Sequence, residues 1–62
     1  MLKRIVIDKN IMAGKPVIRG TRLTVQFILG LFSKGMSYFD ILTEYPGLKL
    51  EDIEACFSCV NH

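Results

Sequence analysis

The chain has 62 residues, half of them hydrophobic, with a formal net charge of +2. This length fits one domain, and no apolar run is long enough for the core of a signal peptide or for a membrane-spanning helix. The two cysteines are too few for a disulfide-stapled secreted scaffold. We therefore expect a cytoplasmic protein with reduced thiols.

The charge is distributed unevenly along the chain. Residues 1–24 carry six cations and one carboxylate, a net charge of +5, whereas residues 25–62 carry two cations and five carboxylates, a net charge of −3. Such asymmetry indicates a polyanionic partner for the basic end. It is equally compatible with two halves of one domain, or of a dimer, that complement each other. The single domain, 1–62, thus divides into a basic segment and a helical segment.

The basic segment predicts a short strand followed by a loop or hairpin. Residues 3–7 are β-branched and apolar, which is typical of a strand, and Ile5 and Ile7 would share one face. Residues 14–23 cannot form a regular helix, because Pro16 disfavours helix before it and Gly20 sits where a tight reversal needs an unusual φ. We expect a rigid, positively charged loop there.

The second segment predicts three helices. Thr24 is a suitable N-cap for a helix over residues 25–34, which Gly35 ends. Ser37 and Asp40 form a capping box for a helix that stops at Pro46-Gly47. The third helix runs from Leu50 to Val60, with carboxylates in its first turn. The sum is a mainly α fold: a three-helix bundle of the helix-turn-helix type with a short N-terminal β-strand or hairpin.

So many apolar residues on so short a chain predict self-association, with a homodimer as the simplest form. The first helix is apolar on all sides, so it is either the central helix or meets a second subunit. Phe39 falls off the apolar stripe of the second helix. The candidate dimer or partner interface comprises Phe27, Leu31 and Phe39.

The longest patterned stretch is Asn10-Ile11-Met12-Ala13-Gly14-Lys15-Pro16-Val17-Ile18-Arg19-Gly20-Thr21-Arg22-Leu23. Together with Gly35-Met36-Ser37, Tyr45-Pro46-Gly47-Leu48 and Glu51-Asp52-Ile53, it resembles the small prokaryotic family known as domain of unknown function 433. The resemblance implies a homeodomain-like three-helix fold with a β-containing N-terminus. It also implies an antitoxin that pairs with a PIN-type ribonuclease toxin and binds DNA. Members often have Thr or Ser where Lys49 stands, so we expect no side-chain N-cap there.

If DNA is bound, the third helix is a poor reader of the major groove, because it carries Glu51, Asp52 and Glu54 and no cation. The candidate DNA-binding residues are instead Lys3, Arg4, Lys15, Arg19 and Arg22. The alternative is that Arg19 and Arg22 pair with carboxylates of the same fold or of a dimer mate. A protein-interaction or dimerisation module without nucleic-acid binding is the competing function.

No catalytic, metal or cofactor site is expected. Cys56-x-x-Cys59 and His62 are too few ligands for a closed zinc site, and no second Cys or His cluster exists. Gly14-Lys15 lacks the spacing of a phosphate-binding loop. A lone terminal histidine and so small a fold argue against an enzyme or a small-molecule substrate.

Overall fold

The computed structural model describes residues 4–60, apart from the side chain of Val60. Strands β1 (Ile5–Val6) and β2 (Val17–Ile18) form an antiparallel hairpin, with a short 3₁₀ turn at Met12–Gly14 between them. Three helices follow, α1 (Val25–Ser33), α2 (Tyr38–Glu44) and α3 (Leu50–Val60). The prediction of a mainly α fold with three helices and an N-terminal hairpin is confirmed. None of the described helices is long and apolar enough to cross a membrane.

The helix ends follow local chemistry. The Phe27 backbone N–H donates to the Thr24 hydroxyl at 3.0 Å, so Thr24 is the N-cap of α1. Ser37 and Asp40 exchange both bonds of a capping box at the start of α2. Gly35 adopts a φ of +92°, which few other residues accept at low cost, and α1 ends before it.

The core joins all three helices to the hairpin. Its fully buried side chains are Val17, Ile18, Ile28, Ile41, Ile53 and Cys56. Helix α3 packs against α1, α2 and β1. It is therefore the central helix, whereas the sequence offered α1 as one candidate for that position.

The first strand is shorter than expected, and the predicted facing of its residues is wrong. Ile5 is 8% exposed and lies in the core, but Ile7 is 69% exposed. The chain turns away just after Ile7, where the Asp8 carbonyl and carboxylate accept the N–H groups of Ile11 and Asn10. The strand therefore ends before alternation could bury Ile7.

A single carboxylate fastens the hairpin to α3. Asp52 is 8% exposed, and its Oδ1 accepts a hydrogen bond from Nη1 of Arg4 at 2.9 Å. Its Oδ2 accepts the backbone N–H of Lys49 at 3.0 Å. Lys49 has no capping side chain of its own, and Asp52 supplies the reverse bond of a capping box. Both oxygens of this nearly buried group are thus committed.

The 3₁₀ turn is left-handed. Met12, Ala13 and Gly14 have φ values of 50°, 57° and 84°. Residues other than glycine adopt the left-handed region at a cost of about 1–2 kcal/mol each. The turn closes through the Gly14 and Lys15 N–H groups, which donate to the carbonyls of Ile11 and Met12. Two residues of this loop therefore store strain that the rest of the fold outweighs.

We expect Asp52→Ala to lower the free energy of unfolding by about 2–3 kcal/mol, because it removes a cap and leaves Arg4 without its partner. Urea unfolding followed by circular dichroism measures this. Glu51→Ala is the matched control, since Glu51 is an exposed carboxylate in the same helical turn. It should change stability by less than about 0.5 kcal/mol. Equal losses in the two variants would contradict the assigned role of Asp52.

Ala13→Gly should raise the free energy of unfolding by about 0.5–1 kcal/mol, because glycine relieves the left-handed strain and loses only part of that gain to unfolded-state entropy. The comparison is Ala55→Gly within α3, which should lower stability by about 1 kcal/mol. Thermal unfolding of both variants tests the prediction. Destabilisation by Ala13→Gly would show that the turn is not strained in solution.

Candidate nucleic-acid interface

Residues 14–23, here called the basic loop, are fixed to the fold by backbone hydrogen bonds. Val25 N–H donates to the Pro16 carbonyl at 2.9 Å, and Ile18 N–H donates to the Leu23 carbonyl at 2.9 Å. The Thr21 hydroxyl donates to the Ile18 carbonyl at 2.7 Å. Gly20, with a φ of +80°, makes the reversal, as the sequence predicted. The loop is therefore a defined surface, anchored by the buried Val17 and Ile18.

The structure places three candidate cations on this surface. Lys15, Arg19 and Arg22 are all exposed. Arg22 borders a shallow cleft with Ile11, Gly20 and Thr21, and Arg19 borders a groove along β1. Neither Lys15 nor Arg22 forms an ion pair with any of residues 4–60, whereas Arg19 takes part in contacts within the fold. Within these residues, no carboxylate forms an ion pair with Arg22, so the alternative structural role predicted for it is not observed.

Two other candidates are not part of this exposed set. Arg4 is half-buried and forms an ion pair with Asp52, so it has a structural role, and its contact with DNA stays a prediction. The structural role comes from a contact between residues 48 positions apart, which no local pattern indicates. Lys3 lies outside the described residues.

Lys9 is not among the DNA-binding residues predicted from the sequence, although its charge belongs to the basic segment. Lys9 is exposed, and its Cα would lie 3.7 Å from a Cβ placed on Gly14. The backbone at Lys9 therefore passes beside the start of the basic loop. Lys9 thus adds an exposed cation beside the start of the basic loop. The turn that brings the two together depends on left-handed φ values, for which only Gly14 gives a sequence signal.

The start of α3 has the opposite charge. Glu51 and Glu54 are exposed, and Asp52 is occupied by Arg4 and Lys49. Carboxylates at this position repel phosphate. The exposed charges of the basic loop are thus positive, whereas Glu51 and Glu54 give the third helix exposed negative charge.

The predicted interface residues divide into two groups. Phe39 is 77% exposed, and Phe27 is 43% exposed with its ring 6.0 Å from Tyr45 in an edge-to-face arrangement. Leu31 is buried in the core, so its assignment to an interface is corrected. It lies on the face of α1 that carries Val25 and Ile28, which are also buried. The side chains available to a partner are Phe27 and Phe39.

The two cysteines lie on α3 as free thiols. Cys56 is fully buried, and Cys59 is half-buried beside a groove lined by Pro16, Val25, Gln26 and Leu29. Burial raises the pKa of the Cys56 thiol from 9.0 to about 11, and the negative charges of Cys59 and Asp52 add to the shift. Residues 4–60 contain no cluster of three or more potential metal ligands. His62 is outside the described residues.

The raised pKa of Cys56 means that the folded state holds this proton more tightly than the unfolded state does. Its contribution to stability is complete below pH 9 and is lost as the pH rises through about 11. Unfolding by urea at pH 8, 9 and 10 should show a fall in stability that is shallower in Cys56→Ala. Cys59→Ala serves as the comparison and should keep the steeper fall. Parallel curves for all three proteins would contradict the assignment.

Comparison with solved structures supports the fold. A crystal structure of a DUF433 member protein from Anabaena variabilis ATCC 29413 is similar to this chain, with 29% sequence identity and a TM-score of 0.89. The similarity covers 94% of this chain and 57% of the other, so the chain spans little more than half the length of that relative. A search of curated proteins gave no match.

The family comparison covers nearly all of the hairpin and the helices. The sequence model described as "Protein of unknown function (DUF433)" matches residues 5–58. This range includes the basic loop, the carboxylate that fastens it and most of α3. The chain therefore belongs to the DUF433 family.

Proposed function

We propose that this protein is a DNA-binding regulatory protein of the antitoxin type, acting in the cytoplasm. In this proposal the basic loop lies against the phosphate backbone, and Lys9, Lys15, Arg19 and Arg22 supply the charge. Phosphate neutralisation provides most of the non-specific affinity of such proteins. The free thiols of Cys56 and Cys59 fit a reducing compartment.

The observation that carries the proposal is the combination of exposure and rigidity in the basic loop. Its cations are exposed, while Val17 and Ile18 beneath them are each 1% exposed. A rigid donor surface loses little conformational entropy when it binds. Arginine adds bidentate contacts to phosphate or to guanine. Binding through α3 is disfavoured by the carboxylates at its start.

The protein partner in this proposal is a ribonuclease toxin of the PIN type, which the family resemblance implies. We assign its contact to the exposed aromatic side chains Phe27 and Phe39. They lie on α1 and α2, whereas the basic loop precedes both helices. Large exposed apolar side chains commonly mark a protein-binding surface.

Charge-removing substitutions test the DNA contact. Lys15→Gln and Arg22→Gln should each weaken binding roughly fivefold, about 1 kcal/mol, and reduce the slope of log K against log salt by about 0.9. Fluorescence anisotropy on a duplex from upstream of the protein's own gene, beside a scrambled duplex, at several salt concentrations, measures both quantities. Preference for the native duplex is expected of a regulator.

Lys34→Gln is the matched control, because Lys34 is exposed but stands at the far end of α1. It should leave the affinity and the salt slope unchanged. Equal losses of DNA affinity at Lys34 and Arg22 would show that binding depends on the total charge of the protein and not on the basic loop. No binding at low salt would contradict the proposal.

A second function, a protein-interaction module without nucleic-acid binding, is favoured by Phe39. At 77% exposure this ring is the most solvent-accessible large apolar side chain among residues 4–60. Absence of DNA binding, with loss of a protein complex in Phe39→Ala, would support this alternative.

A further inference from the structure

Arg19 of the basic loop is connected to the third helix through a single residue on the opposite arm of the hairpin. Its backbone N–H donates to the Arg4 carbonyl at 2.8 Å, just before β1 begins. The Arg4 side chain in turn donates from Nη1 to Oδ1 of Asp52 at 2.9 Å. Two hydrogen bonds in series therefore join an arginine of the basic loop to the first turn of α3.

The end of this connection in α3 is fixed. Asp52 is 8% exposed, and its second oxygen, Oδ2, accepts the Lys49 N–H at 3.0 Å. The next residue, Ile53, is fully buried, and α3 packs against α1, α2 and β1. A side chain held by both packing and hydrogen bonds has few other orientations open to it. Asp52 therefore offers Arg4 an acceptor at a defined place.

The contact matters because little else holds β1 to the fold. The strand has two residues, and a hairpin of such short strands is not stable by itself in water. Ile5 lies in the core, but Val6 is half-buried and Ile7 is 69% exposed. The Arg19 side chain borders a groove along this strand. A shift of β1 would thus move the acceptor of the Arg19 N–H and the surface beside its side chain.

Arg22, on the other side of the reversal, is held differently. The Thr21 hydroxyl donates to the Ile18 carbonyl at 2.7 Å and accepts the Leu23 N–H at 3.0 Å, so both neighbours of Arg22 are bonded within the loop. The Ile18 N–H also stays within the loop, because it donates to the Leu23 carbonyl. None of these bonds passes through Arg4. The basic loop thus presents one arginine that depends on the contact with α3 and one that does not.

We infer that Asp52 is a positioning residue for DNA binding, which acts through Arg4 to set the place of Arg19 and leaves Arg22 unaffected. Asp52 makes no contact with DNA in this assignment, since a carboxylate repels phosphate. The effect on DNA affinity rests on the proposed function, whereas the effect on the Arg19 backbone is measurable without DNA.

Amide hydrogen exchange of the free protein, followed by NMR, tests the positioning. Arg19 and Ile18 are neighbours in sequence, but the Arg19 N–H is bonded across to Arg4 and the Ile18 N–H within the loop. Lower global stability accelerates exchange at both amides, so the ratio of their rates reports the local contact. Asp52→Ala should raise the ratio of the Arg19 rate to the Ile18 rate roughly tenfold. An unchanged ratio would overturn the inference.

A second variant keeps the test valid if Asp52→Ala does not fold. Arg4→Ala retains the carbonyl that accepts the Arg19 N–H and removes only the side chain that Asp52 holds. The bond from Lys49 to Asp52 is also retained, so the start of α3 stays capped. This variant should raise the exchange ratio by a similar factor, and circular dichroism confirms that the helices are retained. Glu51→Ala, in the same turn of α3, is the matched control and should leave the ratio unchanged. An equal rise in the control would overturn the inference.

A double-mutant cycle measures the consequence for DNA binding, by fluorescence anisotropy on the same duplex. In the native background, Arg19→Gln should weaken binding roughly fivefold. In the Asp52→Ala or Arg4→Ala background it should weaken binding less than about twofold, because Arg19 is already displaced, whereas Arg22→Gln should keep its full effect.

A native protein that binds no DNA would contradict the proposed function, and the exchange ratio would still decide whether Asp52 positions Arg19. Where DNA is bound, equal losses from Arg19→Gln in the native and Asp52→Ala backgrounds would overturn the inference.

Discussion

The carboxylate of Asp52 is the constraint on which the arrangement depends. One oxygen holds Arg4 of the hairpin, and the other satisfies the N–H of Lys49 at the start of α3. A domain of this size buries only about 60% of its unfolded surface, so its core alone leaves a small margin of stability. The hairpin has two residues in each strand and could not persist without the helices. Asp52 and the contact of Ile5 with the core together supply that support.

The position of the basic loop depends on this attachment of the hairpin to α3. The Pro16 carbonyl accepts the N–H of Val25 at the start of α1, and the Ile18 N–H donates to the Leu23 carbonyl within the loop. A lysine or arginine on such a frame presents its charge at a defined place, which a disordered basic tail could not do. The start of α3 carries carboxylates, and the Arg4–Asp52 ion pair joins that start to the strand beside Arg19.

Much of the fold could be predicted because its signals are local. Thr24, Ser37 and Gly35 cap or end helices through bonds to residues a few positions away, and the sequence shows these patterns directly. Arg4 could not be assigned, since its partner is 48 residues distant and becomes a neighbour only when α3 packs on β1. The facing of Ile7 was wrong because a strand of two residues ends before its alternation takes effect.

The candidate site was predictable in composition more than in geometry. The exposure of Lys15, Arg19 and Arg22 followed from the loop signals of Pro16 and Gly20. The approach of the Lys9 backbone to Gly14 could not be predicted, because it needs left-handed φ values at Met12 and Ala13, which neither residue prefers. Leu31 was misplaced for another reason. On a helix with apolar residues all round, sequence alone does not distinguish the face that meets the core from the face that meets solvent.

The long reach of the Arg4–Asp52 contact also bears on how the chain is made. The ribosome adds about 5–20 residues per second, so roughly 2–10 s pass between the synthesis of Arg4 and that of Asp52. Throughout that interval the N-terminal strand has no third helix to pack against. The hairpin is thus synthesised before the helix that secures it.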